Sequence, residues 1–218
     1  MPDYAVARRN MVAGQIRTNQ VTDPALIAAL EEIPREIFAP PALAGVAYLD
    51  EDLPLGGGRH LMEPRVFARL LQSAGIGRTD VVLDIGCASG YSSAVISRLA
   101  ATVVALEIDP VLIRKANEAF ARLELDNAVV VVGPLASGYP AQAPFDVIVI
   151  EGAVPEVPPA ISAQLAEGGR LAAVVAPPGG TGQAVLMLRR GGVVSGRAIC
   201  DASTPPLPGF EIVPGFQF

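Results

Sequence analysis

Asp84, Gly86 and Gly90 fall within one short stretch, "VLDIGCASGY", and Glu107 closes the apolar run "TVVALE" about 20 residues further on. Glycines at such a turn let the backbone bend tightly and approach a ligand. A carboxylate at the end of the following strand can accept both hydroxyls of a ribose. Set between strand-like and helix-like segments, the pattern points to a nucleoside-type cofactor bound beyond the carboxyl ends of a parallel sheet. A dinucleotide turn of the form G-x-G-x-x-G would need glycine at positions 88 and 91. This chain has Ala88 and Tyr91, which counts against a packed pyrophosphate and a nicotinamide-dependent oxidoreductase. Asp84, directly before the turn, suits a cationic ligand.

A second constellation is "LPLGGGRHLMEP", residues 53–64. It holds three consecutive glycines, the only histidine and a methionine. Arg59 could bind a carboxylate through two parallel hydrogen bonds. His60 is a candidate for binding or proton transfer. Met62 carries a thioether, which cannot donate a hydrogen bond. One histidine excludes a multi-histidine metal centre. Cys87 and Cys200 lie far apart and form no CxxC, so neither a zinc site nor a disulfide framework is expected, and a reducing compartment is compatible. Cys87 reads as a small buried side chain within the glycine turn.

The elements that must position these groups follow from the hydrophobic pattern. Residues 1–75 read as helical with loops: "TDPALIAALEEIP" opens on a Thr22/Asp23 cap with Pro24 at its first position, and "PRVFARLLQSAG" runs from Pro64 to about Gly75. From residue 80 the apolar runs "VVLDIG", "TVVALE", "AVVVVG", "FDVIVIEG" and "GRLAAVVAP" alternate with "SGYSSAVISRLA", "DPVLIRKANEAFARL" and "VPPAISAQL". Near-continuous apolar strands between helices mean a parallel sheet covered on both faces. "QAVLMLRRGGVVSGRAICD" reads as a hairpin turning at Gly191-Gly192. The expected fold is α/β and Rossmann-like: a mostly parallel doubly wound sheet, an antiparallel C-terminal hairpin and an N-terminal helical extension. Residues 1–75 would form the helical and substrate-loop segment and 76–218 the cofactor-binding domain. The tail from Thr204 to Phe218 reads as a loop laid over that domain.

The chain has 218 residues, 51% of them hydrophobic and 17% charged, enough to bury a sizeable core. A net charge of −6 without a basic stripe argues against nucleic acid. No apolar run is long enough to span a bilayer, and the N-terminus lacks a signal-peptide h-region. The expected location is the cytoplasm, with no membrane partner; oligomeric state is left open.

With Asp84 before the turn and an acid ending the next strand, the pattern hhhDhGxxxG resembles the class I S-adenosylmethionine-dependent methyltransferases. The resemblance narrows with "MVAGQIR" (11–17), "IPREIF" (33–38), "AYLDEDLPLG" (47–56), "APFDVIVIEGAVPEVP" (143–158) and "QLAEGGRLAAVV" (164–175). In order and spacing these blocks are similar to the protein-L-isoaspartate (D-aspartate) O-methyltransferase family, and "PLPGF" (206–210) is a weak echo of its ending. The resemblance implies methyl transfer from S-adenosyl-L-methionine to the α-carboxyl of isoaspartyl residues in damaged proteins or peptides. The ester then collapses to a succinimide that can reopen to aspartate. A carboxylate is already ionised at neutral pH, so this chemistry needs alignment and exclusion of water rather than a base.

The resemblance also implies site residues. Asp84, Gly86, Cys87, Ala88, Gly90, Glu107, Ile108, Pro134, Leu135 and Glu151 would face the cofactor; Arg59, His60 and Met62 would face the substrate; Tyr48 and Asp50 would fix the substrate loop. Met62 stands where the family has its active-site serine, and His60 where it has threonine. Gly133-Pro134-Leu135 replaces a G-D-G whose acid contacts the adenine end, and Ala88 replaces a glycine. Glu151 replaces a small or hydroxyl residue and is a candidate to restore a lost polar contact. These departures leave two readings: an isoaspartyl methyltransferase with altered efficiency, or a divergent member with another substrate or a purely binding role.

Overall fold

The computed structural model describes residues 3–211. Three of its helices open on an aspartate whose side chain takes up free backbone amides. Asp23 accepts from the amides of Ala25 and Leu26 at 2.8 and 3.0 Å and opens α2 (Pro24–Glu32), which follows α1 (Tyr4–Met11). The cap is Asp23 alone, with Pro24 at the first helical position. Helix α3 (Pro64–Ala74) ends where Gly75 turns left-handed and donates back to Leu71 and Gln72. Helices α4 (Tyr91–Ser97), α5 (Pro110–Arg122) and the single turn α6 (Pro159–Ser162) lie between strands.

The segment before residue 75 is not only helix and loop. Leu53–Gly56 (β1) and Arg59–Leu61 (β2) form a small antiparallel hairpin, with Pro54 opposite His60. Gly57 and Gly58 sit at φ 59° and 73°, the positive values that both central residues of a type I′ turn need. Strands of four and three residues, one containing proline, are too short to show a period in sequence.

The main sheet contains β3 (Val81–Ile85), β4 (Thr102–Glu107), β5 (Ala128–Val132), β6 (Phe145–Val154), β7 (Leu165–Val175), β8 (Gln183–Arg190) and β9 (Val193–Asp201). Their order is β5-β4-β3-β6-β7-β8-β9. The pairs from β5 to β7 are parallel; β7-β8 and β8-β9 are antiparallel, the latter turning at Gly191-Gly192 as expected. In register across β3, β4 and β6, Val82, Val103 and Val147 bury into one face with Met11, Leu30 and Phe67. Leu83, Val104 and Ile148 bury into the other with Leu165 and Phe210. The chain leaves β3 toward β4 and β5, then crosses back to β6, so the strand order reverses at β3. In such sheets the crevice beyond the strand ends at the reversal is where ligands bind.

The tail lies over the sheet end as far as the described residues reach. Ala153 donates to Pro205 and accepts from Leu207, at 3.0 and 2.8 Å. Residues 212–218 of the expected covering loop lie outside the described residues. Among the described residues no helix is long and apolar enough to cross a membrane.

Candidate functional site

Three carboxylates stand on adjacent strands. Asp84 is on β3, Glu107 ends β4 and Glu151 lies within β6. Between them runs the glycine turn. Gly86 and Cys87 donate to the carbonyl of Leu106 at 2.9 and 3.3 Å, and Gly90 donates to Cys87 at 2.8 Å. Gly90, at φ 95°, has no room for a side chain: a Cβ would lie 2.7 Å from the Phe120 ring. Ala88 holds φ 51°, a left-handed conformation that alanine rarely adopts, and its amide donates to Glu107 Oε2 at 2.9 Å. Cys87 is buried, and burial pushes its thiol up.

Glu107 is fully buried. Its Oε1 accepts from the amides of Ile108 and Asp109 at 2.8 and 3.0 Å and from Arg59 Nη1 at 2.7 Å. Arg59 Nη2 donates to the Gly86 carbonyl, also at 2.7 Å. The sequence placed Arg59 toward a substrate carboxylate; the fold spends two of its nitrogens on the Glu107 carboxylate and the Gly86 carbonyl. Ile108, beside Glu107, is 53% exposed, an apolar surface at the cleft edge. Pro134 is exposed, while Leu135 is buried in the core with Leu106 and Ile150.

Asp84 is also fully buried. The hydroxyls of Ser92, at 2.6 Å, and Ser93 donate to its Oδ2, and Oδ1 has no partner among the described residues. Burial pushes its carboxyl up to about 6; the two serines oppose the shift and the charge of Glu107 adds to it. Burial and the nearby Asp84 charge push Glu151 well above the usual carboxylate range, and its Oε1 is likewise unpartnered among the described residues.

His60, Met62 and Glu151 all line two small cavities, each of about 10 Å³. Met62 is 4% exposed and packs in the core. Its carbonyl accepts from Arg35 Nη2 at 2.7 Å, and Arg35 Nε donates to Ala47 at 2.7 Å. The Arg35 guanidinium lies 4.8 Å from the centre of the Tyr91 ring. Burial lowers its pKa, and Nη1 has no partner among the described residues. In the sequence Arg35 stands out only as part of "IPREIF", and Ser92 and Ser93 only as helix residues. A charged residue in an apolar block, and two hydroxyls about one turn after the glycine turn, were the available signals.

The approach to the hairpin is pinned from several sides. Gln15 donates to the Tyr48 carbonyl at 2.9 Å, and the Tyr48 hydroxyl donates to Glu36. Asp50 accepts from the Arg65 amide at 3.1 Å. Asp52 Oδ1 accepts from both the Glu63 amide and the Thr204 hydroxyl, at 3.0 and 2.9 Å, which ties the hairpin base to the covering tail.

The model of the family described as "Protein-L-isoaspartate(D-aspartate) O-methyltransferase" matches residues 7–200. A protein-L-isoaspartate O-methyltransferase of Methanoculleus marisnigri is 42% identical over 170 residues, 78% of this chain and 77% of that protein. One of Roseiflexus castenholzii is 37% identical over 209 residues, 95% and 94% of the two chains. Among solved structures, a protein-L-isoaspartate O-methyltransferase superposes with a TM-score of 0.79 at 25% identity, covering 93% of this chain and 67% of that one.

Proposed function

The chain belongs to the protein-L-isoaspartate(D-aspartate) O-methyltransferase family and is an S-adenosylmethionine-dependent protein carboxyl methyltransferase; from that premise we propose which of its residues serve each half of the reaction. The relatives favour the enzyme over a purely binding role. What carries the residue assignment is the set of three carboxylates on β3, β4 and β6 around the glycine turn, with the β1–β2 hairpin reaching Glu107 through Arg59.

The residue types fit the cofactor. Glu107 is the strand-end acid for a ribose, Ile108 offers an apolar surface beside it for a base, and Asp84 Oδ1 is a buried acceptor awaiting a donor. The space does not fit in this conformation, because two cavities of about 10 Å³ each hold roughly one water, against the roughly 300–1,000 Å³ of ordinary ligand sites. S-Adenosylmethionine, when bound, supplies an electrophilic methyl group on a sulfonium.

The substrate is the isoaspartyl carboxylate of a damaged protein or peptide. That carboxylate arrives ionised, so the chain's task is to hold it in line and exclude water. His60 on β2 is the candidate side chain to bind it, and Arg35 Nη1 is a buried donor beside the Met62 backbone. Met62 itself adds apolar cover and no hydrogen bond. Burial pushes the Glu151 carboxyl up, toward the protonated form, which has an O–H to donate where position 62 has none. Both cysteines are unpaired thiols, which supports a reducing compartment such as the cytoplasm.

Incubation with an isoaspartyl peptide and methyl-labelled S-adenosylmethionine is expected to give a base-labile methyl ester. Absence of that ester, with S-adenosylhomocysteine still bound in calorimetry, would overturn the substrate reading and leave the cofactor reading standing.

A further inference from the structure

The cleft holds a cation already, and it belongs to the chain. Arg59 is 3% exposed and Glu107 0%, and their atoms meet at 2.7 Å. The guanidinium bridges the two acceptors at the mouth of the glycine turn, the Glu107 carboxylate and the Gly86 carbonyl. The absence of a side chain at Gly86 is what lets it in: a Cβ there would stand 2.9 Å from Arg59 Nη2 and 3.1 Å from Leu207. The backbone clearance that would admit a ligand is filled by these two side chains. Leu207 reaches the same spot from the tail, packing over Gly152 as well.

Resting on the cofactor assignment above, we propose that Arg59 is an internal occupant of the nucleoside site, and that S-adenosylmethionine loads only when the β1–β2 hairpin withdraws it. Glu107 cannot turn Oε1 to a ribose while Arg59 and two amides hold that oxygen. Nor is the bound guanidinium fully satisfied, since its buried Nε has no partner among the described residues. That imperfect fit keeps the occupant displaceable by a ligand that supplies better donors.

Three features give the hairpin its means of movement. Its turn is built from glycines at positive φ, its strands are four and three residues long, and it pairs with no strand of the main sheet. The link from Asp52 to Thr204 couples it to the tail, so the two covers of the site open as one.

Such an occupant lowers apparent affinity by the fraction of molecules with the site open. Calorimetry with S-adenosylhomocysteine should therefore find Arg59→Gln binding about 10-fold or more tighter than the wild type, with Arg59→Lys between them, because lysine keeps the charge but cannot bridge both acceptors. Near-UV circular dichroism checks that each variant is folded. A measurement on the unaltered chain stands beside the variants. Its observed binding rate should level off with rising S-adenosylhomocysteine, because opening precedes binding. A rate that stays linear in ligand, or an Arg59→Gln affinity equal to or weaker than wild type, overturns the proposal and leaves the methyltransferase assignment intact. No binding by any of the three proteins overturns the cofactor assignment and this proposal with it.

Discussion

Glu107 and Glu151 stand on strands that flank β3, either side of one glycine turn, yet the fold treats them oppositely. Glu107 is wholly buried, with four donors on its two oxygens. Glu151 has a buried oxygen without a partner among the described residues, and burial beside Asp84 pushes its carboxyl well above the usual range. The difference teaches what the cleft tolerates. A buried carboxylate finds its partners where an arginine and backbone amides meet it, and its pKa rises where desolvation goes unanswered. Asp84, between the two, is intermediate: two serine hydroxyls satisfy one oxygen and none reaches the other.

Breaking the satisfied side should have the largest effect. Glu107→Gln leaves Arg59 buried without its counter-charge, and denaturant unfolding should show a loss of about 3–5 kcal/mol. On the other side, Met62→Ser removes a buried thioether next to Glu151 and restores a hydroxyl. Its stability should fall by about 2–4 kcal/mol while methyl-ester formation on an isoaspartyl peptide rises. An unchanged rate with normal cofactor binding would mean that position 62 is not what limits turnover. Ser93→Ala takes one donor from Asp84 and should cost about 1.5–3 kcal/mol, the range for a hydrogen bond to a charged group.

The smallest effect has the clearest sign. The folded state raises Glu151 above its ordinary value of 4.5, so the folded chain keeps a proton that the unfolded chain has released. Stability from this group is therefore present at low pH and lost as pH rises into its raised range. Glu151→Gln never ionises. It should melt higher than wild type near about pH 8, with the gap closing by about pH 4. A gap independent of pH would mean that Glu151 is ionised in the folded protein.

Much of this architecture was legible beforehand, and the reasons are local. The apolar strands, the proline-opened helices, the hairpin at Gly191-Gly192 and the acid closing β4 each announce themselves within a few residues. What escaped was either too short to carry a period, as with β1 and β2, or a matter of partnership. Arg59 read as a substrate-binding group because its type and loop were visible and its partner was not.

By itself, then, the sequence determined a doubly wound sheet with a glycine turn and a strand-end acid, since spacing, caps and turn glycines act between near neighbours. Only the tertiary structure decided that Arg59 meets Glu107 across 48 positions, that Arg35 reaches Met62 across 27, and that Glu151 meets no donor among the described residues. A buried charge takes its state from whatever the fold brings within about 3 Å of it, and that is set by packing rather than by spacing along the chain.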